Sequence, residues 1–134
     1  MQTLMQGALV PADEQTAAVA LLNNQFRRAG PTPLPASMQL SVPPHGRWVL
    51  TRGVAAQGDD FVCRAMTAVR FFEEFDADND PWGLRDFGKL EIDGVRLFWK
   101  IDIFADEGCE AGADRPGDPR RSYRLLTVLL ASEY

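Results

Sequence analysis

The sequence predicts an α+β domain of two layers: a mostly antiparallel four-stranded sheet with two helices packed on one face. Three observations lead there. Asp93-Gly94 separates two alternating runs, residues 87–92 and 95–104, and this dipeptide between such runs is the strongest short hairpin signal. Residues 123–131 are almost wholly apolar, as befits a central strand covered on at least one face. The element order is helix, strand, helix and then three strands, which completes the assignment.

Each element has its own justification. The first helix is placed at about residues 13–29, with Asp13 as N-cap, Pro11 just outside and Gly30-Pro31 as the stop. Ala18, Leu21, Leu22, Gln25 and Phe26 fall near helical spacing, which assigns Asn23, Asn24, Arg27 and Arg28 to the wet side. Arg27 and Arg28 in the last turn suit the negative end of the helix dipole. Five prolines between residues 31 and 44 make an extended connector, and helix and connector together allow a semi-detached arm. A short strand follows at residues 47–51, stopped by Gly53.

The second helix is placed at about residues 59–74, capped by Asp59 or Asp60. Phe61, Ala65, Val69 and Phe72 form its apolar stripe, widened by Val62 and Met66. Glu73 and Glu74 in its last turn run against the dipole, a local conflict that marks this helix end as not tuned for stability. In the strand at residues 95–104, Val95, Leu97, Trp99, Ile101 and Ile103 share one face, and Arg96, Phe98, Lys100, Asp102 and Phe104 the other. A loop rich in Gly, Pro and charge at residues 106–121 precedes the last strand.

With 134 residues the chain suits a single domain, residues 1–134, divided into an N-terminal helix plus connector (1–46) and an α+β core (47–134). A net charge of −5 and a pI near 4.8 argue against a duplex-DNA binder, which needs phosphate-neutralising cations. Cys63 and Cys109 are too few for a disulfide framework and read as reduced thiols, Cys63 as a buried structural one. No 18-residue apolar run occurs, and residues 1–10 lack a basic region before their apolar ones, so a cytoplasmic protein without membrane contact is expected.

The densest chemistry lies at residues 73–86. Five carboxylates fall within residues 73–80, and they must be spread into water, bound to a cation or turned toward a basic partner. Asp76, Asp78 and Asp80 reproduce the alternate-acid opening of a calcium loop. Pro81 stands where such a loop turns on glycine and Phe87 where it closes on a glutamate, which rejects an EF-hand. A looser Mg²⁺ or Ca²⁺ site of Asp78, Asp80, Asp86 and Asp102 is the alternative, with a hydrolase of nuclease type as its chemistry. Against that, Phe98 stands two before Lys100 where a carboxylate is wanted, and Lys100 and Asp102 read as an ion pair on one sheet face.

His45 is the only histidine and lies in a Pro-Pro-His-Gly turn, not beside a nucleophile. There is no Gly-x-Gly-x-x-Gly or phosphate-loop pattern. The aromatic residues gather near one sheet edge, most of them as core, particularly Trp99 and Phe72. Trp82 stands apart: it either stacks on Pro81 within the turn or protrudes as an interface anchor rimmed by carboxylates. Arg115, Arg120, Arg121 and Arg124 offer the opposite charge, most economically by folding back on residues 76–80.

Asp78-Asn79-Asp80-Pro81-Trp82-Gly83, Asp86-Phe87-Gly88, Phe98-Trp99-Lys100-Ile101-Asp102 and the final nine residues, Leu126 to Tyr134, carry a resemblance. Taken with residues 23–28 and the rest of 47–134, they resemble the proteobacterial family called domain of unknown function thirty-seven sixty-eight. Leu84 and Arg85 depart from its pattern, which has an acid and a histidine at these positions. The resemblance implies an accessory protein of plasmids and integrated elements and assigns no activity. The expectation is therefore a non-enzymatic protein without cofactor that binds a basic protein partner through Asp76, Asp78, Asp80, Trp82, Arg85 and Asp86. Inhibition or modulation of a host defence complex is the concrete form that the resemblance suggests.

Overall fold

The computed structural model describes residues 12–31 and 44–134. The expectations for residues 1–10 and for most of the proline-rich connector lie outside these residues. The elements in order are α1 (Ala12–Ala29), β1 (Gly46–Leu50), α2 (Arg52–Ala55), α3 (Asp59–Arg70), β2 (Phe87–Ile92), β3 (Val95–Phe104), β4 (Tyr123–Leu130) and a closing 3₁₀ turn (Ala131–Glu133). The α+β class and the four-stranded sheet are as predicted.

Both hairpin strands begin and end where the sequence places them, and Asp93 and Gly94 take φ of 51° and 81° to join them. Arg64 of α3 reaches over to the Asp93 carboxylate and holds its pKa below the ordinary value. The sheet order is β1-β4-β3-β2, so β4 is central, as its apolar run requires. The sheet is mostly antiparallel, as expected, with one parallel pair that the sequence did not show: β1 runs parallel to β4. Strand direction is set by how the chain returns, and five residues of alternating burial carry no trace of it.

The helices need correction, since three are present among the described residues rather than two. The additional one is α2, where Thr51 accepts from Val54 N and the Glu133 carboxylate accepts from Thr51 Oγ1 and Gly53 N. Helix α3 ends at Arg70, earlier than its stripe suggests, and begins after Gly58 without a side-chain cap. Phe72 and Phe75 therefore pack from irregular backbone, meeting the Trp99 indole edge-on at 5.6 and 6.1 Å.

The core lies between the helices and one sheet face: Leu97, Trp99, Ile101, Leu126 and Val128 against Phe26, Val54, Phe61, Ala65, Val69 and Phe72. Trp99 lies over Gly88 of β2, where an added Cβ would stand 2.3 Å from its Nε1. Gly88 is thereby explained as the floor beneath a buried indole.

Helix α1 corrects the semi-detached arm. Its buried residues are Val19, Leu22, Asn23, Phe26 and Arg27, spaced 0, 3, 4, 7 and 8, a regular helical stripe that includes two polar members. Leu21, assigned to the apolar side by hydrophobicity alone, is 57% exposed. The C-termini of α1 and α3 meet and cap each other. Arg27 Nη1 donates to Val69 O and Arg70 O at 2.9 and 2.7 Å, and Arg70 Nε donates to Arg28 O at 3.0 Å. Each negative helix end is thus met by the other helix's arginine.

Candidate functional site

Residues 73–86 leave α3 and return to β2 without regular structure. Asp76 organises the turn: its Oδ1 accepts from the backbone N–H of Asp78 and Asn79 at 2.9 and 3.0 Å. Asn79 closes it from the other side, its Oδ1 accepting from Asp76 N at 3.1 Å and its Nδ2 donating to Glu74 O at 2.9 Å. Asp80 follows, with a side chain only 1% exposed and paired with the Arg85 guanidinium. Its Oδ1 also accepts from Arg85 N at 3.1 Å, and the Arg85 guanidinium lies 4.6 Å from the Phe75 ring centroid. Arg85 holds a left-handed φ of 57° to make this closure.

The two ends of the loop are anchored to the domain. At the near end, Phe75 packs on Phe72 and Trp99. At the far end, Asn23 of α1 donates from Nδ2 to Leu84 O at 2.9 Å, and Asp86 O accepts from Ile101 N at 2.8 Å. Between these anchors Trp82 is 79% exposed, the highest value among the large apolar side chains of the described residues.

The predicted binding residues thus divide. Asp78 and Trp82 face solvent, Asp76 and Asp80 hold the loop's shape, and Arg85 neutralises Asp80. Asp86 is half-buried; burial first, then the charges of Asp80 and Asp102, raise its pKa above the usual value. Among the described residues no group of three or more His, Cys, Asp or Glu side chains is placed to hold a metal ion. Lys100 and Asp102 form the expected same-face pair at 3.3 Å.

Several other expectations change. Glu73 and Glu74 lie beyond the end of α3, so the dipole conflict does not arise, and Glu73 instead stands 3.5 Å from Arg28. Arg124 does not fold back on the acidic turn. It is fully buried, donating to Asn23 Oδ1, Ser122 Oγ and Pro116 O at 2.7, 2.9 and 2.8 Å. Both cysteines are free as expected, but Cys63 is exposed. His45 is exposed in its turn, its carbonyl accepting from Arg124 N.

Sequence reasoning missed the buried polar line Leu84–Asn23–Arg124–Ser122, which ties the loop to α1 and β4. Its one visible signal was the spacing of Asn23 with Val19 and Phe26. Burial pulls both Arg27 and Arg124 down to about 10, with the Arg28 and Arg85 charges lowering Arg27 further and Glu73 opposing them. Both remain cationic at neutral pH. Arg27 also lies 5.2 Å from the Trp99 ring and 5.5 Å from Phe75.

No helix among the described residues is long and apolar enough to cross a membrane. No curated protein and no solved structure matches the chain. A family model does match, over residues 50–133, a span that takes in α2, α3, the acidic loop and the last three strands and leaves out α1 and most of β1. The chain belongs to the family described as protein of unknown function (DUF3768).

Proposed function

We propose that the protein is a non-enzymatic binding module whose acidic loop, residues 76–86, docks a protein with a basic surface. One observation carries this reading: Trp82 is 79% exposed on a loop whose backbone is held by Asp76, Asn79 and Asp80. Presenting a large apolar ring to water is unfavourable unless something covers it, and a rigid loop loses little entropy when that happens. Asp78, Glu73 and Glu74 are exposed around it and would meet Lys or Arg on the partner. Asp80 and Arg85 neutralise each other, so they support the loop and leave the contact to Trp82 and Asp78.

Metal-dependent hydrolysis has less behind it. Asp80 is committed to Arg85, and Lys100 to Asp102. An accessory role on mobile elements, with a defence complex as target, rests on family resemblance alone and is the finer form of the same proposal.

The test is site-specific photo-crosslinking from position 82, followed by affinity measurement with the captured protein. Trp82→Ala should weaken that complex by roughly thirty-fold or more, as a buried aromatic anchor does. Asp78→Asn should slow association and reduce its salt dependence. Equal affinity for wild type and Trp82→Ala would overturn the assignment. A midpoint rise with Mg²⁺ or Ca²⁺ that Asp86→Asn abolishes would favour the hydrolase instead.

A further inference from the structure

The two faces of the sheet are unlike. The strand register places Leu97, Trp99, Ile101, Leu126 and Val128 on the face beneath the helices. It places Phe87, Phe98, Phe104, Tyr123, Leu125 and Leu129 on the other. None of this second set belongs to the core cluster; Leu129 is buried within the face and the other five are half-buried. Among the described residues no α-helix covers the far face. The closing 3₁₀ turn alone brings a ring onto it: Tyr134 meets Phe98 edge-on at 5.1 Å and is itself 76% exposed.

The charge of this face is opposite to that of the chain. Arg47, Lys89, Arg96 and Lys100 lie on it against Glu91 and Asp102, in a protein of net charge −5. Lys89 and Arg96 are exposed and make no ion pair among the described residues. The rings fall into two groups along β3. Phe87, Phe98 and Tyr134 cluster at one end, and Phe104 stands opposite Tyr123 at the other, with Arg47 5.7 Å from the Tyr123 ring. Phe104 lies six positions beyond Phe98, about 20 Å of strand.

We propose that this face is a binding platform for single-stranded nucleic acid. Unpaired bases would stack on the two aromatic groups, and the phosphates between them would lie along Lys89, Arg96 and Arg47. A second copy of the chain suits the face poorly, because stacking it on itself sets two faces with the same excess of cations against each other. A duplex suits it poorly as well: its base faces are already stacked, and so small a cation excess neutralises few phosphates. The surface is separate from the acidic loop and its fate does not depend on that reading.

Fluorescence anisotropy with a labelled oligothymidylate of about ten nucleotides, and with the matching oligouridylate, tests the proposal. Wild type should bind at about 50 mM salt and lose affinity steeply toward about 200 mM. Lys89→Glu with Arg96→Glu, both on the surface, should weaken binding at least about ten-fold, whereas Arg52→Glu on α2 should not. Phe98→Ala should also weaken binding about ten-fold through lost stacking, and the matched duplex should bind more weakly than the single strand. No binding by wild type at low salt, or equal binding by the double reversal, would overturn the proposal. So would sedimentation of the free protein as a dimer that Phe98→Ala turns into a monomer, since the face would then be a self-interface.

Discussion

The acidic loop and the junction of α1 with α3 both concentrate charge in short stretches, and the fold treats them in opposite ways. In the loop the one buried charged side chain, Asp80, has an arginine partner in Arg85. The two buried cations, Arg27 at the junction and Arg124 on β4 beside α1, have no carboxylate partner among the described residues. Arg27 donates through Nη1 and Nη2 to helix-end carbonyls and an asparagine oxygen and lies against two aromatic faces, its Nε alone finding no acceptor among the described residues, and Arg124 donates to Asn23, Ser122 and Pro116 O. A carboxylate accepts only, so it needs donors nearby, and the loop supplies Arg85 and its backbone N–H. A guanidinium offers five donors in a fixed fork and can be buried wherever carbonyls converge, as they do where two helices end.

The comparison is broken most sharply at the junction. Arg27→Met keeps much of the volume but strands Arg70 O and leaves Val69 O to Phe72 N alone, and a loss of about 2–4 kcal/mol is expected in urea unfolding. Arg27→Lys should recover only part of it, because one ammonium cannot bridge α3 and Asn24 together. A loss below about 1 kcal/mol for Arg27→Met would mean that water reaches the α3 end.

Next in size is the loop's own buried charge. Asp80→Asn removes the charge-assisted bond to Arg85 while keeping an acceptor for Arg85 N, so a loss of about 1.5–3 kcal/mol is expected. Amide exchange should quicken across residues 82–85 and remain slow in β3. Asp80→Asn is therefore a probe of loop rigidity, and Asp78→Asn the cleaner probe of contact.

Asp86 sharpens the comparison through pH. Its folded pKa lies above the unfolded 3.8, so the folded state holds the proton more tightly. Stability linked to this group is fully present below that value and declines as pH rises through the raised folded pKa. Asp86→Asn should accordingly raise Tm near pH 7 and lose that advantage near about pH 3. An Asp86→Asn protein no more stable than wild type at neutral pH would place Asp86 in contact with a cation. The smallest effect is expected at Trp82: Trp82→Ala should change unfolding by no more than about 0.5 kcal/mol, leaving partner affinity as its readout.

Much of the sheet was legible because its signals are local. Asp93-Gly94 and the alternation of β3 need no distant residue to be read, and β2 and β3 fall where the pattern puts them. The same alternation placed Phe98 and Phe104 opposite Trp99, although it could not say that no α-helix among the described residues would cover them. The loop was legible as a concentration of polar groups, but its division into supporting and exposed members was not. Whether a carboxylate in residues 76–86 meets water or Arg85 depends on the left-handed turn at Arg85, which no pattern of charges announces.

By itself the sequence determined the α+β class, the hairpin, the apolar central strand and the stripe of α3, since periodicity and turn chemistry are properties of neighbours along the chain. Only the tertiary structure decided the parallel pairing of β1 with β4, the burial phase of α1 and the interior places of Arg27 and Arg124. Each of those rests on partners far apart in the chain: 42 residues from Arg27 to Val69, and 101 from Asn23 to Arg124. A polar side chain is buried where folding gathers its donors and acceptors, and that gathering is a property of the fold, not of its neighbours.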